Sequence, residues 1–355
     1  MIGGRVTARD PSSDEFEQVV SEAGLQLLAV GCGGAGCNTI SRLMEMGVQN
    51  VRTVAFDTDP QDLLYTRAGE KVLIGREVTG GRGAGNILEK GKEAAEADRD
   101  LIKDSLSEAD MMLVTCGLGG GTGTGAGPVV AEIAERLGCL TVGVLTLPFE
   151  SEGKKRERNA SVGLEKFRNV LDSLVIIPDD KLLEIAPDLS LAEAFRFADK
   201  LLADSIKGIT GLVANPGLIN LDFADIETVL DDGGVTMVGF GRSDSENRAV
   251  EAAEGALKNP LLDVDTSEVD RALVNIVGSP DMALGEAETA TRKISKALTS
   301  GAQVTWGAQI KEKLEKKMKV MVLAPGVESP WGEGVENKRK RDRAEEALKD
   351  LKSLS

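Results

Sequence analysis

A chain of 355 residues that is 41% hydrophobic, 28% charged and 3% aromatic is long enough for two cored domains and has the composition of a soluble globular protein. Its net charge of −16 disfavours nonspecific binding to nucleic acid or anionic lipid, so an anionic ligand has to be held by backbone dipoles and a metal ion. The absence of histidine removes Ser-His-Asp hydrolysis and histidine-ligated zinc.

The four cysteines, Cys32, Cys37, Cys116 and Cys139, contain no C-x-x-C pair. They read as small packing residues near glycine loops, and no metal site is expected from them. With no apolar leader and no run of membrane-span length, the expected compartment is cytoplasmic and reducing.

In chain order, residues 1–23 are polar and read as a loose tail. Leu25 to Val30 predicts a strand, followed by Gly31-Cys32-Gly33-Gly34-Ala35-Gly36 and a helix carrying Ile40, Leu43, Met44 and Met46. Val51 to Phe56 is a second strand, closed by Asp57-Thr58-Asp59-Pro60, and Lys71 to Ile74 a third. A glycine loop, Gly80-Gly81-Arg82-Gly83-Ala84-Gly85, precedes a charged helix from Asn86; glycine alone does not decide whether that loop closes over a ligand or is mobile surface. Strands at 111–115, 140–147 and 174–177 alternate with helices at 128–137 and near 154–170. Pro128 is placed in the first turn of the former.

This alternation predicts a parallel doubly wound sheet over residues 24–189. Ser190, with Glu193 three residues on, opens a long helix that Asn215-Pro216-Gly217 stops. That helix, 190–215, reads as the connection to a second domain. Strands near 235–240, 272–277, 302–306 and 318–324 and helices near 246–257 and 285–298 predict a smaller α/β domain over 216–325. In the tail, 326–355, Lys338-Arg339-Lys340-Arg341-Asp342-Arg343 precedes Ala344, Ala347, Leu348 and Leu351 at helical spacing. Acids dilute that charge and the apolar stripe is thin, so a solvated helix or disorder competes with a docking helix there.

The chemistry concentrates in glycine loops. Gly119-Gly120-Gly121-Thr122-Gly123-Thr124-Gly125 lies between the strand at Met111 to Thr115 and a helix. There, backbone N–H groups and a helix dipole can converge on phosphate oxygens, and threonine hydroxyls can donate to them. Gly31-x-Gly33-x-x-Gly36, with Asp57 closing the next strand, matches the dinucleotide fingerprint and supports an NAD(P)-dependent oxidoreductase as the alternative. Against it, a second and richer loop follows a later strand, which fits a longer polyphosphate better. No Walker lysine motif occurs, which disfavours a P-loop NTPase.

The loop at 119–125 resembles the signature loop of the tubulin/FtsZ superfamily, and the resemblance to FtsZ runs from about Leu25 to Pro325. It implies a tubulin-like α/β fold: a Rossmann-type GTPase domain joined by a long central helix to a smaller C-terminal domain. It implies a cell-division GTPase that binds GTP and GDP with Mg²⁺, to which no protein ligand is assigned. Phosphates would lie on Gly33, Gly34, Ala35 and Asn38 and on Gly119, Gly120, Gly121, Thr122, Gly123, Thr124 and Gly125, with Gly83, Ala84 and Gly85 nearby. In Pro148-Phe149-Glu150-Ser151-Glu152-Gly153-Lys154-Lys155-Arg156, Glu152 corresponds to a ribose contact and Arg156 to a phosphate or ribose contact. Phe195 and Asp199, four apart on one helix face, would stack on guanine and accept from its N1–H and N2–H₂. The family often has Asn where this chain has Asp57, Asp179 and Asp199.

Asn220-Leu221-Asp222-Phe223-Ala224-Asp225 resembles the family's synergy loop, whose aspartates activate water on the nucleotide of the adjoining subunit. As a bare motif, Asp222 also reads as a helix N-cap, leaving Asp225 as the purely catalytic member. The resemblance implies head-to-tail polymerisation into filaments at a midcell division ring. It also implies a SepF- or FtsA-like membrane-tethering adaptor reached through a terminal tail. The family's acidic-Pro-Phe-Leu tether pattern does not occur in residues 326–355.

Overall fold

The computed structural model describes residues 25–48, 50–181, 190–214, 218–219, 221–258, 266–312 and 314–328. The tail at 1–23, the Asn215-Pro216-Gly217 stop, Asn220 and the basic stretch at 338–351 lie outside them. Strands β1 (Leu27–Cys32), β2 (Val51–Asp57), β3 (Glu70–Leu73), β4 (Met111–Gly117), β5 (Leu140–Leu147) and β6 (Ser173–Pro178) are parallel, in the order 3-2-1-4-5-6. This is a doubly wound order, with a crevice at the C-terminal strand ends where the winding reverses between β1 and β4.

Strands β1, β5 and β6 are buried at every position, which is why they read as unbroken apolar runs rather than alternating ones. Successive side chains go to opposite faces. Leu28 and Val30 join Phe56, Val114 and Phe167, whereas Leu27 and Ala29 join Ile40, Leu43 and Leu113. Helices α1 (Gly33–Glu45), α2 (Pro60–Tyr65), α3 (Arg76–Thr79), α4 (Leu88–Ala97), α5 (Arg99–Leu106), α6 (Thr122–Arg136) and α7 (Lys154–Arg168) connect these strands.

Helix α8 (Leu191–Ala214) has 24 residues, a length of about 36 Å. Ala198, Leu202, Ile206 and Ile209 recur on one face and share a core with Val142, Val144, Val175 and Ile177 of the parallel sheet. The same core takes in Val238, Leu273, Met321 and Leu323. These belong to β7 (Gly234–Ser243), β8 (Arg271–Gly278) and β10 (Met318–Pro325), which with β9 (Gln303–Ile310) form the second group of strands, in the order 7-10-8-9. Strand β7 meets β6 in parallel only at Ser173–Gly234 and Leu174–Val235 before running antiparallel to β10. Helices α9 (Phe223–Leu230), α10 (Arg248–Leu257) and α11 (Leu284–Ser295) complete this half. Its own core sets Ala252, Ala253 and Ala256 against Val274, Ile276 and Val320. Ahead of α9, the backbone N–H groups of Leu218 and Ile219 both donate to the Ala308 carbonyl, at 2.8 and 3.2 Å, and Ala308 N donates back to Ile219 O at 3.1 Å.

Two local features differ from the sequence reading. Helix α6 starts at Thr122, so Pro128 sits in its interior rather than in its first turn. The start is fixed by packing: a Cβ at Gly123 would lie 2.9 Å from Cys32 O, and one at Gly125 would meet Leu88 O. Close approach therefore outweighs the roughly 1 kcal/mol helix penalty of each glycine. Helix α2 forms directly after the segment Asp57-Thr58-Asp59-Pro60, where no helix is expected from the sequence, because Asp59 Oδ1 accepts from Gln61 N at 2.8 Å and Pro60 occupies the first helical position.

Gly36 ties α1 to the sheet, since a Cβ there would meet Thr115 O of β4 and Gly31 C of β1. Gly36→Ala gains about 1 kcal/mol of helix propensity but overpacks two strands, at a cost of up to about 3 kcal/mol. A net loss of about 2 kcal/mol is expected in denaturant melts, at unchanged m-value.

Candidate functional site

A cleft of about 410 Å³ opens at the C-terminal ends of the parallel strands. Helices α1 and α6 begin at its floor, and neither has an acidic residue in its first turn or a side chain capping its amides. The two starts abut: a Cβ on Gly33, at φ 73°, would lie 2.8 Å from Gly123 N. Uncapped amides and two positive dipole ends thus face one small space, an arrangement suited to a polyanion.

Loop 80–85, whose role the sequence leaves open, forms one wall. Gly83, Ala84 and Gly85 line the cleft, and a Cβ on Gly121 would meet Gly85 O. Cross-ties hold the loops in register. Gly83 N donates to Thr58 O at 3.3 Å, and the Thr58 and Thr122 hydroxyls share a hydrogen bond of 2.7 Å. Asn159 Nδ2 donates to Asn86 O at 3.3 Å and to Gly119 O at 3.0 Å.

Charge in the cleft is one-sided. Asp57, Asp59, Asp62, Glu152, Asp179 and Asp199 line it, against Arg82 and Arg156. Asp57 is buried and holds the turn after β2: its Oδ1 accepts from Thr58 N at 2.6 Å and Asp59 N at 3.1 Å, while Cys37 Sγ lies 3.8 Å from Oδ2. Burial pushes its carboxyl up to about 6, partly offset by those amides. The acid that a dinucleotide-binding protein turns toward ribose is thus committed to its own backbone here. Burial raises Asp62 as well, with Asp59 adding to the effect.

At the far end of the cleft, Phe195 and Asp199 project from one face of α8. Phe195 is 41% exposed, and its ring meets Phe149 edge-on, with centroids 5.4 Å apart. Burial pushes Asp199 up to about 6, opposed by Arg42. Glu152 is held from both sides: Oε1 accepts from Phe149 N at 2.9 Å and Oε2 pairs with Arg156 NH1 at 3.0 Å. Asp179, just past β6, is 5% exposed and its Oδ1 has no hydrogen-bond partner. Burial first, then Glu152, Asp199 and Asp180, push its carboxyl up to about 8, with Arg156 acting the other way.

Four of the expected residues do not line the cleft. Asn38 is exposed on α1. Thr124 is buried and accepts from Gly119 N at 2.9 Å, so its hydroxyl closes the loop. Gly119, at φ 106°, makes room for Arg156, and Gly125 for α4. Asp222 and Asp225 are also elsewhere: α9 follows the distal end of α8 and leads to Gly234, which pairs with the starting end of β6, opposite the cleft. There, Asp222 is the N-cap residue as read from the sequence, and Asp225 Oδ2 accepts from Asp222 N at 3.1 Å, so the acid expected to be free of a capping role is tied to the helix start as well. Asn220 lies outside the described residues. Sequence reading missed Asp59, Asp62, Arg82 and Asn86 at the cleft, although Arg82 and Asn86 flank loop residues already singled out. It also missed Leu202, seven positions after Phe195 and on the same helix face.

The strand order and amide-lined floor define the class: a doubly wound α/β protein with a cleft suited to a polyanion. Residues 26–187 match the GTPase-domain model of the tubulin/FtsZ family, and residues 234–328 match the C-terminal-domain model of the FtsZ family. The chain is 48% identical over 326 residues to cell division protein FtsZ 1 of Thermococcus kodakarensis, covering 92% of this chain and 87% of that protein. It is 44% identical over 340 residues to cell division protein FtsZ of Methanothermobacter thermautotrophicus, covering 96% and 89%. An empty FtsZ dimer of M. jannaschii aligns at TM-score 0.83 and 45% identity, over 90% of this chain and 93% of that one. The GDP-bound CetZ1 monomer of Haloferax volcanii aligns at 0.76 and 26% identity, over 91% and 100%. The chain belongs to the FtsZ family of cell-division GTPases. The oxidoreductase reading finds no support in these likenesses. No helix among the described residues is long and apolar enough to cross a membrane.

The raised carboxyls have a consequence for stability. Asp179 and Asp199 ionise at about 8 and about 6 when folded, against about 4 in an unfolded chain. Between pH 4 and pH 8 the folded state therefore holds protons that the unfolded state has released, and stability falls as pH rises. The melting temperature of the nucleotide-free protein is expected to drop over this range. Asp179→Asn should remove the part of the drop above about pH 6, as scanning calorimetry would show.

Proposed function

We propose that the cleft holds GTP and that hydrolysis is completed by a second copy of the chain. The observation that carries this reading is separation. The amide floor and Phe195 lie at one end of α8, whereas Asp222 and Asp225 follow its other end. From Phe195 to Ala214 the helix alone spans about 28 Å, so one subunit's acids are beyond reach of its own cleft.

In this reading, triphosphate oxygens take the N–H groups around Gly33 to Ala35 and Gly120 to Gly123. Glu152 accepts from ribose hydroxyls, Arg156 lies beside it, and Phe195 stacks on the guanine. Asp199 accepts from N1–H and N2–H₂, a donor pair that adenine lacks. A triphosphate adds negative charge to a cleft already lined by six carboxylates and two guanidinium groups. That imbalance fits Mg²⁺, a hard cation that neutralises charge while bound mainly to phosphate and water oxygens. Asp62, whose Oδ2 would lie 3.3 Å from a Cβ on Gly34 of the floor, would help hold it in this reading. Asp59 is its neighbour.

Asp222 and Asp225 of the next subunit then orient and polarise the water that attacks the γ-phosphate. A contact joining unlike ends of identical subunits does not close, so it builds a filament. We assign the division of labour to residues 24–189 for nucleotide, 190–215 for the connecting helix and 216–325 for activation. The cellular role that follows is a cytoplasmic division ring, tethered to the membrane by an adaptor that binds a terminal tail.

Two measurements test this. GTP turnover per subunit should rise with protein concentration, and Asp225→Ala should keep GTP binding but lose about 10²–10⁴-fold in turnover. Mixing Asp225→Ala with a cleft-defective Gly33→Ala chain should restore turnover, because each interface of one orientation pairs an intact cleft with intact acids; failure to restore it sinks hydrolysis in trans. Separately, Asp199→Ala should lose about 1–3 kcal/mol of GTP affinity with little change for ATP, as competition binding would show.

A further inference from the structure

Asp179 has an environment that an ordinary ligand-accepting carboxylate would not tolerate. It is 5% exposed, lines the cleft, and its Oδ1 has no hydrogen-bond partner. The groups facing it are Glu152 from the turn before α7, Arg156 on α7, Asp180 beside it and Asp199 on α8. Three of these four are carboxylates. The one cation, Arg156, pairs its Nη1 with Glu152 Oε2 at 3.0 Å and leaves its buried Nε without a partner. Asp180, by contrast, points its carboxylate at Glu150 N, at 3.1 and 3.2 Å, as an ordinary surface acid does.

An ionised Asp179 would place a further negative charge in this group with a buried oxygen unsatisfied, which is costly twice over. Protonation removes both costs and converts an acceptor into an O–H donor. On the reading of the cleft as a GTP site, the residues nearby already supply acceptors: Glu152 for ribose hydroxyls and Asp199 for the guanine N–H groups. What the nucleoside still presents unmatched are its own acceptors, the ring nitrogens, the carbonyl and the ribose oxygens. We infer that Asp179 enters the nucleotide complex as a neutral carboxylic acid and donates its O–H to an acceptor on the bound guanosine. It acts there as an amide side chain would, with a proton that the solution can remove. Its carboxyl, pushed up to about 8 by burial and its acidic neighbours, is protonated in most molecules at neutral pH.

The consequence is a proton linked to nucleotide binding. When only the protonated form is competent, the apparent Kd rises as the inverse of the fraction protonated, by about tenfold for each pH unit well above the free carboxyl's pKa. The experiment is calorimetric titration of the nucleotide-free full chain with GDP from pH 7 to pH 9, in buffers of differing ionisation enthalpy. GDP avoids turnover, and the buffers report protons exchanged on binding. Wild type should take up a proton, approaching one per GDP above pH 8, with Kd about fivefold weaker at pH 9 than at pH 8. In Asp179→Asn, which carries a permanent N–H donor, that extra pH dependence and proton uptake should vanish. Guanine's own titration is common to both chains and cancels in the comparison.

Proton release, or binding with no uptake and a flat Kd, overturns the inference; release would mean that Asp179 is ionised in the complex, as pairing with Arg156 would make it. An identical pH slope in Asp179→Asn overturns it as well. If that variant does not fold, the wild-type proton count decides alone. GDP that binds at no pH defeats the GTP reading itself, a result distinct from binding without proton uptake.

Discussion

Everything at the cleft depends on two helix starts being allowed to touch. Gly33 and Gly123 bring the N-terminal turns of α1 and α6 within a side chain's width of each other, and no side chain could be added between them without moving backbone. Neither turn is capped or acidic. That leaves donors unsatisfied in an unliganded cleft, a local cost of stability borne because the same donors suit a polyanion. The surrounding fold serves to hold this contact: Gly36 seats α1 on two strands, and Gly125 seats α6 against α4.

The acidic lining then gives the floor its selectivity. Six acidic side chains, all but Asp179 available as carboxylates, outnumber two arginines, so affinity cannot come from net positive charge as it does at a basic surface. In the proposed GTP complex it comes from amides aimed at phosphate, from a cation that accompanies the ligand, and from matched donors and acceptors at the nucleoside end. Each of these demands geometry, which is why so many of the lining positions are themselves pinned by hydrogen bonds to neighbouring loops, as Asp57, Thr58, Glu152 and Asn159 are.

Much of this was legible in the sequence. Strands buried on both faces appear as continuous apolar runs, and glycine loops between a strand and a helix announce themselves, so the doubly wound half and the amide floor could be read directly. The i, i+4 pair Phe195 and Asp199 was singled out only through the family resemblance, and both residues line the cleft. What escaped was decided by packing between distant segments. The start of α6 runs back through glycines of poor helix propensity because Cys32, Leu88 and Phe167 crowd them. The wall role of loop 80–85 depends on Thr58 and Gly121, which no local pattern connects to it. Thr124 turned from ligand donor to loop brace because Gly119 N lies within its reach. Asp225 joins Asp222 at the helix start because its carboxylate, three positions on, reaches back to Asp222 N.

The short bridge from Leu218 and Ile219 to Ala308 is small in hydrogen bonds but settles what the acidic loop is anchored to. Only two residues separate Ile219 from Asp222, and Leu221 fills the room that Gly307 leaves. The loop is therefore indexed to strand β9, on the outer border of the sheet, as well as to the helix before it. A shift of β9 would carry the two carboxylates with it, whereas the amide floor is built on other strands. In the proposed filament, the reach of one subunit toward its neighbour would thus be set at the far border of the fold.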